Sequence, residues 1–161
     1  MFRSATTADA DAIARIYNPY VVDTVATFEE APVAVVEMAQ RVRSVLASEL
    51  PWLVAEEAGE VVGYAYAARW RPRNAYRFAA ETTIYLDPGA IGRGLGTELY
   101  AALFDALRAR AMRVAIGGIA LPNPASVALH EKLGMSKVAH FADVGFKLDR
   151  WVDVGYWQLH L

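Results

Sequence analysis

The sequence predicts an α/β (α+β) fold: a mixed, mostly antiparallel central sheet with helices on both faces. Three observations predict it. Strand-like segments outnumber segments of helical period. Two of the strands are joined by a short turn and so pair antiparallel. One strand leads through a leucine-striped helix to the next, the connection that builds a parallel pair. The 161 residues suit one domain, residues 1–161, since no repeat or linker-like stretch divides them.

In chain order, a short strand around Phe2–Ser4 precedes a helix that starts after Thr6 or Thr7. Asp9, three residues beyond Thr6, gives a capping-box-like start, and Ile13, Ile16, Tyr17 and Tyr20 follow at helical spacing. Asn18-Pro19 should kink or end this helix. Pro32 suits the first turn of a second helix from Val33 to about Leu50, with Met38, Val42, Val45 and Leu46 as its apolar stripe. Trp52–Glu56 and Val61–Arg69 flank the turn Ala58-Gly59-Glu60 and read as a hairpin. A strand over Phe78–Leu86 ends at Asp87-Pro88-Gly89, a strong turn signal. Leu95, Leu99, Leu103 and Leu107 then fall on one helix face. Arg113–Gly117 makes a short strand. Asn123 caps the next helix, with Pro124 at its first position and Gly134 just past its end. Strands near Ser136–Phe141 and Trp151–Leu161 close the chain.

Composition narrows the function. With 55% hydrophobic and 21% charged residues the chain is an ordinary globular one. A net charge of −2 gives no electrostatic reason to expect a nucleic-acid partner. The absence of cysteine excludes a disulfide framework, a Cys nucleophile and Cys-rich metal sites, and it suits the cytoplasm. Met1-Phe2-Arg3-Ser4-Ala5-Thr6 lacks the charged-then-apolar pattern of a signal peptide. No apolar run approaches the roughly 18 residues of a membrane span. His130, His140 and His160 show no ligand-like spacing, so no metal is expected. The expectation is a soluble, cytoplasmic protein without a membrane or metal partner.

The strongest local signal is strand, turn, then Ala90-Ile91-Gly92-Arg93-Gly94-Leu95-Gly96-Thr97 opening a helix. Glycines expose amide N–H groups, and with the positive end of the helix dipole these make an anion site. A Gly-rich connection that only turns the chain reads the same way. A P-loop would need Gly-Lys-Ser/Thr, but Gly96 is followed by Thr97. A Rossmann fingerprint spaces its glycines G-x-G-x-x-G, whereas these run G-x-G-x-G. Both nucleotide folds are therefore disfavoured.

This stretch resembles the Arg/Gln-x-x-Gly-x-Gly/Ala coenzyme A loop of the Gcn5-related N-acetyltransferases (GNAT). Motifs in order along nearly the whole chain resemble the phosphinothricin N-acetyltransferase branch. They are Ile16-Tyr17-Asn18 with Thr27-Phe28-Glu29; Gly63-Tyr64-Ala65-Tyr66; Trp70-Arg71-Pro72-Arg73-Asn74-Ala75-Tyr76; Glu81-Thr82-Thr83-Ile84-Tyr85-Leu86; Asn123-Pro124-Ala125-Ser126 with Leu129-His130-Glu131; and Asp153-Val154-Gly155-Tyr156-Trp157-Gln158. One departure is Ile91, where the family carries Arg or Gln.

The resemblance implies an acetyl-CoA-dependent acyltransferase that acetylates the amine of a small amino-acid-like substrate by direct attack in a ternary complex; acetylation of another amine (a protein N-terminus or an antibiotic) and a non-catalytic acyl-CoA-binding module are the alternatives. It implies that the pantetheine arm pairs with backbone around Ile84, Tyr85 and Leu86. The pyrophosphate would lie over Gly92, Arg93, Gly94, Leu95, Gly96 and Thr97. Asn123 falls at the position meeting the pantetheine or thioester, and it is equally an N-cap. An amine must lose a proton to attack, the oxyanion needs donors, and the leaving thiolate benefits from a proton. Glu81 is the implied general base. Strand alternation puts Glu81, Thr83 and Tyr85 on one face, although a solvated strand carboxylate would read alike. A carboxylate near its ordinary pKa of about 4.3 is a poor base towards an ammonium unless burial raises it or a water relays the proton.

His130 stands where many relatives carry a tyrosine, which makes it a candidate acid or alternative base; a structural histidine is the bland reading. A backbone N–H near Leu86 is the implied oxyanion donor. Arg71, Arg73 and Tyr76 match substrate-side positions, with Asn74 and Arg77 as further candidates and Phe28 as an opposite wall or, equally, a core residue. Guanidinium groups suit the carboxylate, phosphinate or sulfoximine oxygens of such an acceptor, while solvated surface arginines are the alternative. Phosphinothricin, methionine sulfoximine and methionine sulfone are the substrate types implied. The family is often dimeric, and the aromatic strand Trp151–Leu161 is a candidate homodimer surface, although a core strand reads the same way.

Overall fold

A computed structural model describes residues 1–161. The elements are β1 (Phe2–Ser4), α1 (Ala10–Asp23), α2 (Val35–Ala47), β2 (Trp52–Glu57), β3 (Glu60–Arg69), β4 (Ala79–Leu86), α3 (Leu95–Arg108), β5 (Val114–Leu121), α4 (Pro124–Lys132), β6 (Ser136–Lys147) and β7 (Arg150–His160). They build one seven-stranded sheet in the order β1-β2-β3-β4-β5-β7-β6. Every pairing is antiparallel except β4–β5, whose strands are joined through α3. A helical crossover is what a parallel pair requires.

Strand alternation divides the core in two. Ala55, Ala65, Ala67, Ala80 and Ala115 face α3, whose Leu99, Leu103, Phe104 and Leu107 bury against them. Small residues on the sheet let the leucine-rich helix lie close. The other face turns Val54, Val61 and Tyr64 towards α1 and α2, packing on Ile13, Ile16, Met38 and Val42. Helices therefore cover both faces of a mixed sheet.

Four boundaries differ from the sequence reading. Pro19 does not end α1, which runs on to Asp23. Burial of Tyr17 and Val21 and the hydrogen bond from the Tyr20 hydroxyl to Leu86 O, at 2.7 Å, hold the last turns in place. Helix α2 is shorter than Val33–Leu50, because Pro32 stays outside and Glu49 turns the chain with φ of 61°. Strand β5 continues through Gly117-Gly118 to Leu121. These glycines serve close packing: a Cβ on Gly117 would lie 2.5 Å from His130 Nε2, and one on Gly118 would lie 3.1 Å from the Tyr156 ring. Strand β6 continues beyond Phe141 to Lys147, across an irregularity between Phe141 and Gly145 that kept its alternation from being read.

Candidate active site

The chain leaves β4 through Asp87, whose carboxylate accepts from the Gly89 N–H at 2.9 Å. Gly92 and Gly94 then take φ of 79° and 87°, the left-handed region that side chains disfavour, and Gly94 is the N-cap of α3. Backbone bonding resumes with Thr97 N–H to Gly94 O at 3.0 Å. The amides of Gly92, Arg93, Gly94, Leu95 and Gly96 thus donate to no carbonyl of the chain. Together with the helix dipole they form an anion cradle. The side chains of Arg93 and Leu95 do not join it. Arg93 grips the Glu57 carboxylate with contacts of 2.7 and 2.8 Å, and Leu95 turns into the core. Ile91 is exposed at the mouth.

Strands β4 and β5 pair only from Ala79–Glu81 to Val114–Ile116 and then part. A cleft of about 460 Å³ opens in the split. It is lined by Ile84, Tyr85 and Leu86 of β4, by Gly92, Gly94, Gly96 and Thr97 of the loop, and by Asn123, Ser126 and His130 across from them. Tyr20 and Ala26 line it from the α1 side and Leu129 from the α4 side, so the opening passes through the sheet. Beyond Glu81 the β4 backbone has no sheet partner on its β5 edge, and its hydrogen-bonding groups face the cleft. Asn123 spends its side-chain oxygen on the Ser126 N–H at 3.1 Å, which leaves its amide nitrogen free.

Glu81 sits where the split begins, on the β4 face shared with Thr83 and Tyr85. It is half-buried and makes no hydrogen bond or ion pair; its Oε1 lies against Gly118, 3.6 Å from where a Cβ would stand. Burial pushes its pKa above the ordinary 4.5, and the Arg71 charge partly opposes the rise. Arg71 stacks over the Trp70 ring at 4.1 Å. Trp70 meets Tyr156 edge-on at 5.5 Å, and Tyr156 meets Phe141 at 5.9 Å. Carboxylate, guanidinium and aromatic side chains thus gather beside the split, with Glu81 touching the cleft's wall at Gly118.

His130 is only 4% exposed. Its Nδ1 lies 2.7 Å from Ser126 O and its Nε2 3.2 Å from the Tyr100 hydroxyl, which in turn lies 2.7 Å from Thr82 Oγ1. Burial lowers its pKa below 6.5.

The substrate-side candidates divide. Arg73, Asn74 and Tyr76 are exposed on a short turn just after Arg71, and Arg73 has no ion pair. Arg77 is not brought to Glu81. It stacks on Phe78 at 4.4 Å, donates to Asn74 O, and faces a separate cleft of about 770 Å³ at the opposite end of β4. A side chain at the close of a turn leaves on whichever face the turn presents, which residue order does not reveal. Phe28 packs onto Gly145, where a Cβ would come within 2.3 Å of the ring. The same loop is fastened by Lys147 Nζ donating to Thr27 O at 2.7 Å. Sequence reasoning gave no role to Tyr156, Thr82 or Tyr100. Tyr156 stood in a matching motif, and Tyr100 lies outside the leucine stripe of its helix. No cluster of His, Asp and Glu forms a metal-binding group.

Comparison with known proteins agrees with this geometry. A family model described as an acetyltransferase (GNAT) domain matches residues 2–155. Phosphinothricin N-acetyltransferase of Alcaligenes faecalis is 41% identical over 146 residues, 90% of this chain and 74% of that protein. The L-methionine sulfoximine/L-methionine sulfone acetyltransferase of Salmonella typhimurium is 37% identical over 99% of this chain and 93% of its own. Among solved structures, a phosphinothricin acetyltransferase of Sinorhizobium meliloti in complex with AcCoA superposes with a TM-score of 0.97. It is 40% identical and covers 100% of this chain and 88% of its own.

Proposed function

The chain belongs to the GNAT acetyltransferase family, and from that premise we propose that it acetylates the amine of a small amino-acid-like acceptor of the phosphinothricin, methionine sulfoximine or methionine sulfone type. It is an acyltransferase with acetyl-CoA as cosubstrate. The residues present fit that cosubstrate: the free amides from Gly92 to Gly96 suit a pyrophosphate, and the unpaired edge of β4 suits an amide-bearing arm.

The observation that carries the acceptor reading is the opening through the sheet. A thioester held among Ile84, Tyr85 and Leu86 is reachable from the opposite face past Thr83 and Gly118; Glu81 lies against Gly118 and feels the Arg71 charge. Glu81, unpaired and shifted upward by burial, takes the amine proton directly or through a water. The oxyanion is met by a backbone N–H near Leu86; the absence of cysteine rules out a Cys acyl-enzyme, and the amine attacks the thioester directly. His130 lines the thioester end of the cleft. Arg71 and Arg73, with Asn74 and Tyr76 beside them, receive the acceptor's anionic oxygens; Phe28 forms the far wall. Arg77 is left out of this set because it faces the other cleft.

Arg71→Ala and Arg73→Ala should each raise the KM for the amino acid about tenfold, the worth of one charge-assisted hydrogen bond, while the KM for acetyl-CoA stays put. Steady-state kinetics with both substrates varied reads this. Equal effects on the two KM values would remove the arginines from the acceptor site.

The same proposal includes residues 1–161 acting as one domain in the cytoplasm, as a homodimer, without a nucleic-acid or membrane partner. No helix is long and apolar enough to cross a membrane, and the net charge is −2. For the dimer, β6 is the edge strand of the sheet, and its hairpin with β7 exposes Phe141, Val144, Phe146, Leu148 and Trp151. Exposed large apolar side chains on an edge hairpin favour association. Sedimentation at micromolar concentration should give twice the chain mass, and Trp151→Glu should give a monomer; a monomeric wild type contradicts the dimer.

A further inference from the structure

Three side chains on three elements form a buried chain beneath the cleft: Thr82 of β4, Tyr100 of α3 and His130 of α4. Tyr100 is fully buried and does not line the cleft. We propose that Tyr100 is a positioning residue that holds the His130 ring with its proton on Nδ1 and its Nε2 capped, so that His130 gives the thioester end of the cleft a fixed wall and leaves the base role to Glu81.

The argument is one of donors and acceptors. Ser126 O, at 2.7 Å, is a carbonyl and can only accept, so Nδ1 carries a proton. Nε2 then has a lone pair facing the Tyr100 hydroxyl at 3.2 Å. With Tyr100 donating to Nε2, the Tyr100 oxygen accepts from Thr82 Oγ1 at 2.7 Å. Every group along the chain is then satisfied in one direction. A proton on Nε2 would reverse it. Tyr100 would then accept from the ring and donate either to Thr82 O at 3.3 Å or to Thr82 Oγ1, whose own proton would be left with Ile116 O at 3.4 Å, so either route ends on a long contact. The close contacts therefore serve the neutral ring.

The surroundings add no counter-charge. β5 presents Gly117, which has no side chain and touches the imidazole, and α4 itself presents Ser126. Glu131, the neighbouring acid, accepts from Trp157 Nε1, and Glu81 acts on Tyr100 only at a distance. Burial without a carboxylate partner disfavours imidazolium, in keeping with the downward shift of His130. Both nitrogens are committed, and the ring has no free lone pair with which to deprotonate an amine. The consequence for the reaction rests on the acetyltransferase reading above; the ring geometry does not.

The test is ¹⁵N NMR of histidine-labelled protein, without substrate, across a pH series. In the wild type, His130 should show a protonated Nδ1, an unprotonated Nε2 and a midpoint below 6.5. Tyr100→Phe keeps the ring that packs on Phe104 and removes only the donor. It should raise the His130 midpoint by about one pH unit and add a second ionisation to the kcat/KM profile. Thr82→Val should raise the midpoint by less. A wild-type ring protonated on Nε2, or a Tyr100→Phe midpoint and pH profile identical to wild type, overturns the assignment. Because the NMR reads the free protein, a normal His130 signature with no transferase activity would instead count against the acetyltransferase reading.

Discussion

Glu81→Gln should lower kcat at neutral pH by about 10²- to 10⁴-fold, the usual contribution of a positioned general base. Glutamine keeps the volume that lies against Gly118 and loses only the ability to take a proton. Glu81 makes no hydrogen bond or ion pair, so the substitution breaks no fold contact, and thermal stability should change little. Burial raises the Glu81 pKa above 4.5, and the carboxylate is active only when ionised. kcat/KM for the wild type should therefore climb as pH rises through that raised ionisation and fall away below it. The variant should lack this limb while still binding acetyl-CoA. Stopped-assay rates over a pH series check both points. A variant within threefold of wild type across the range removes Glu81 from the base role.

Leu103→Ala should destabilise the protein by about 2–5 kcal/mol, as expected for emptying a leucine site in a closed core. Leu103 lies at the middle of α3, 0% exposed, among Leu99, Phe104 and Leu107 and above the alanines of the sheet. Alanines cannot swing in to fill the space, which puts the cost towards the upper half of the range. The site lies at the first turn of the same helix, so the folded fraction should keep its kcat while the urea midpoint drops. A loss below about 1 kcal/mol would mean that the helix does not pack on the sheet as described.

Much of the fold was legible because its signals are local. The Ala58-Gly59 turn, the leucine spacing of α3 and the Asn123-Pro124 cap each specify geometry within a few residues. The phosphate loop was legible because Gly92 and Gly94 occupy backbone regions that few other residues tolerate. What escaped depends on partners distant in sequence. Gly117-Gly118 read as the end of a strand, yet they sit inside β5 because His130 and Tyr156 press against them. Pro19 read as a kink or an end of the helix, and tertiary contacts of Tyr17, Tyr20 and Val21 carry α1 past it. Arg77 belonged by composition with Arg71 and Arg73, but its turn sends it to the opposite end of β4. Tyr100 lies outside the Leu95, Leu99, Leu103 and Leu107 stripe, and only its hydroxyl contact with His130, a partner 30 residues away, gives it a role.

The most direct measurement is thiol release from acetyl-CoA with a panel of amines: phosphinothricin, methionine sulfoximine, methionine sulfone, unmodified amino acids, an aminoglycoside and an N-terminal peptide. The small amino acids with a tetrahedral polar end should turn over, with kcat/KM at least about a hundredfold above the peptide and the aminoglycoside, and Glu81→Gln should abolish the difference. Preferred turnover of the peptide, or tight acetyl-CoA binding without release of thiol for any amine, would contradict an amino-acid N-acetyltransferase.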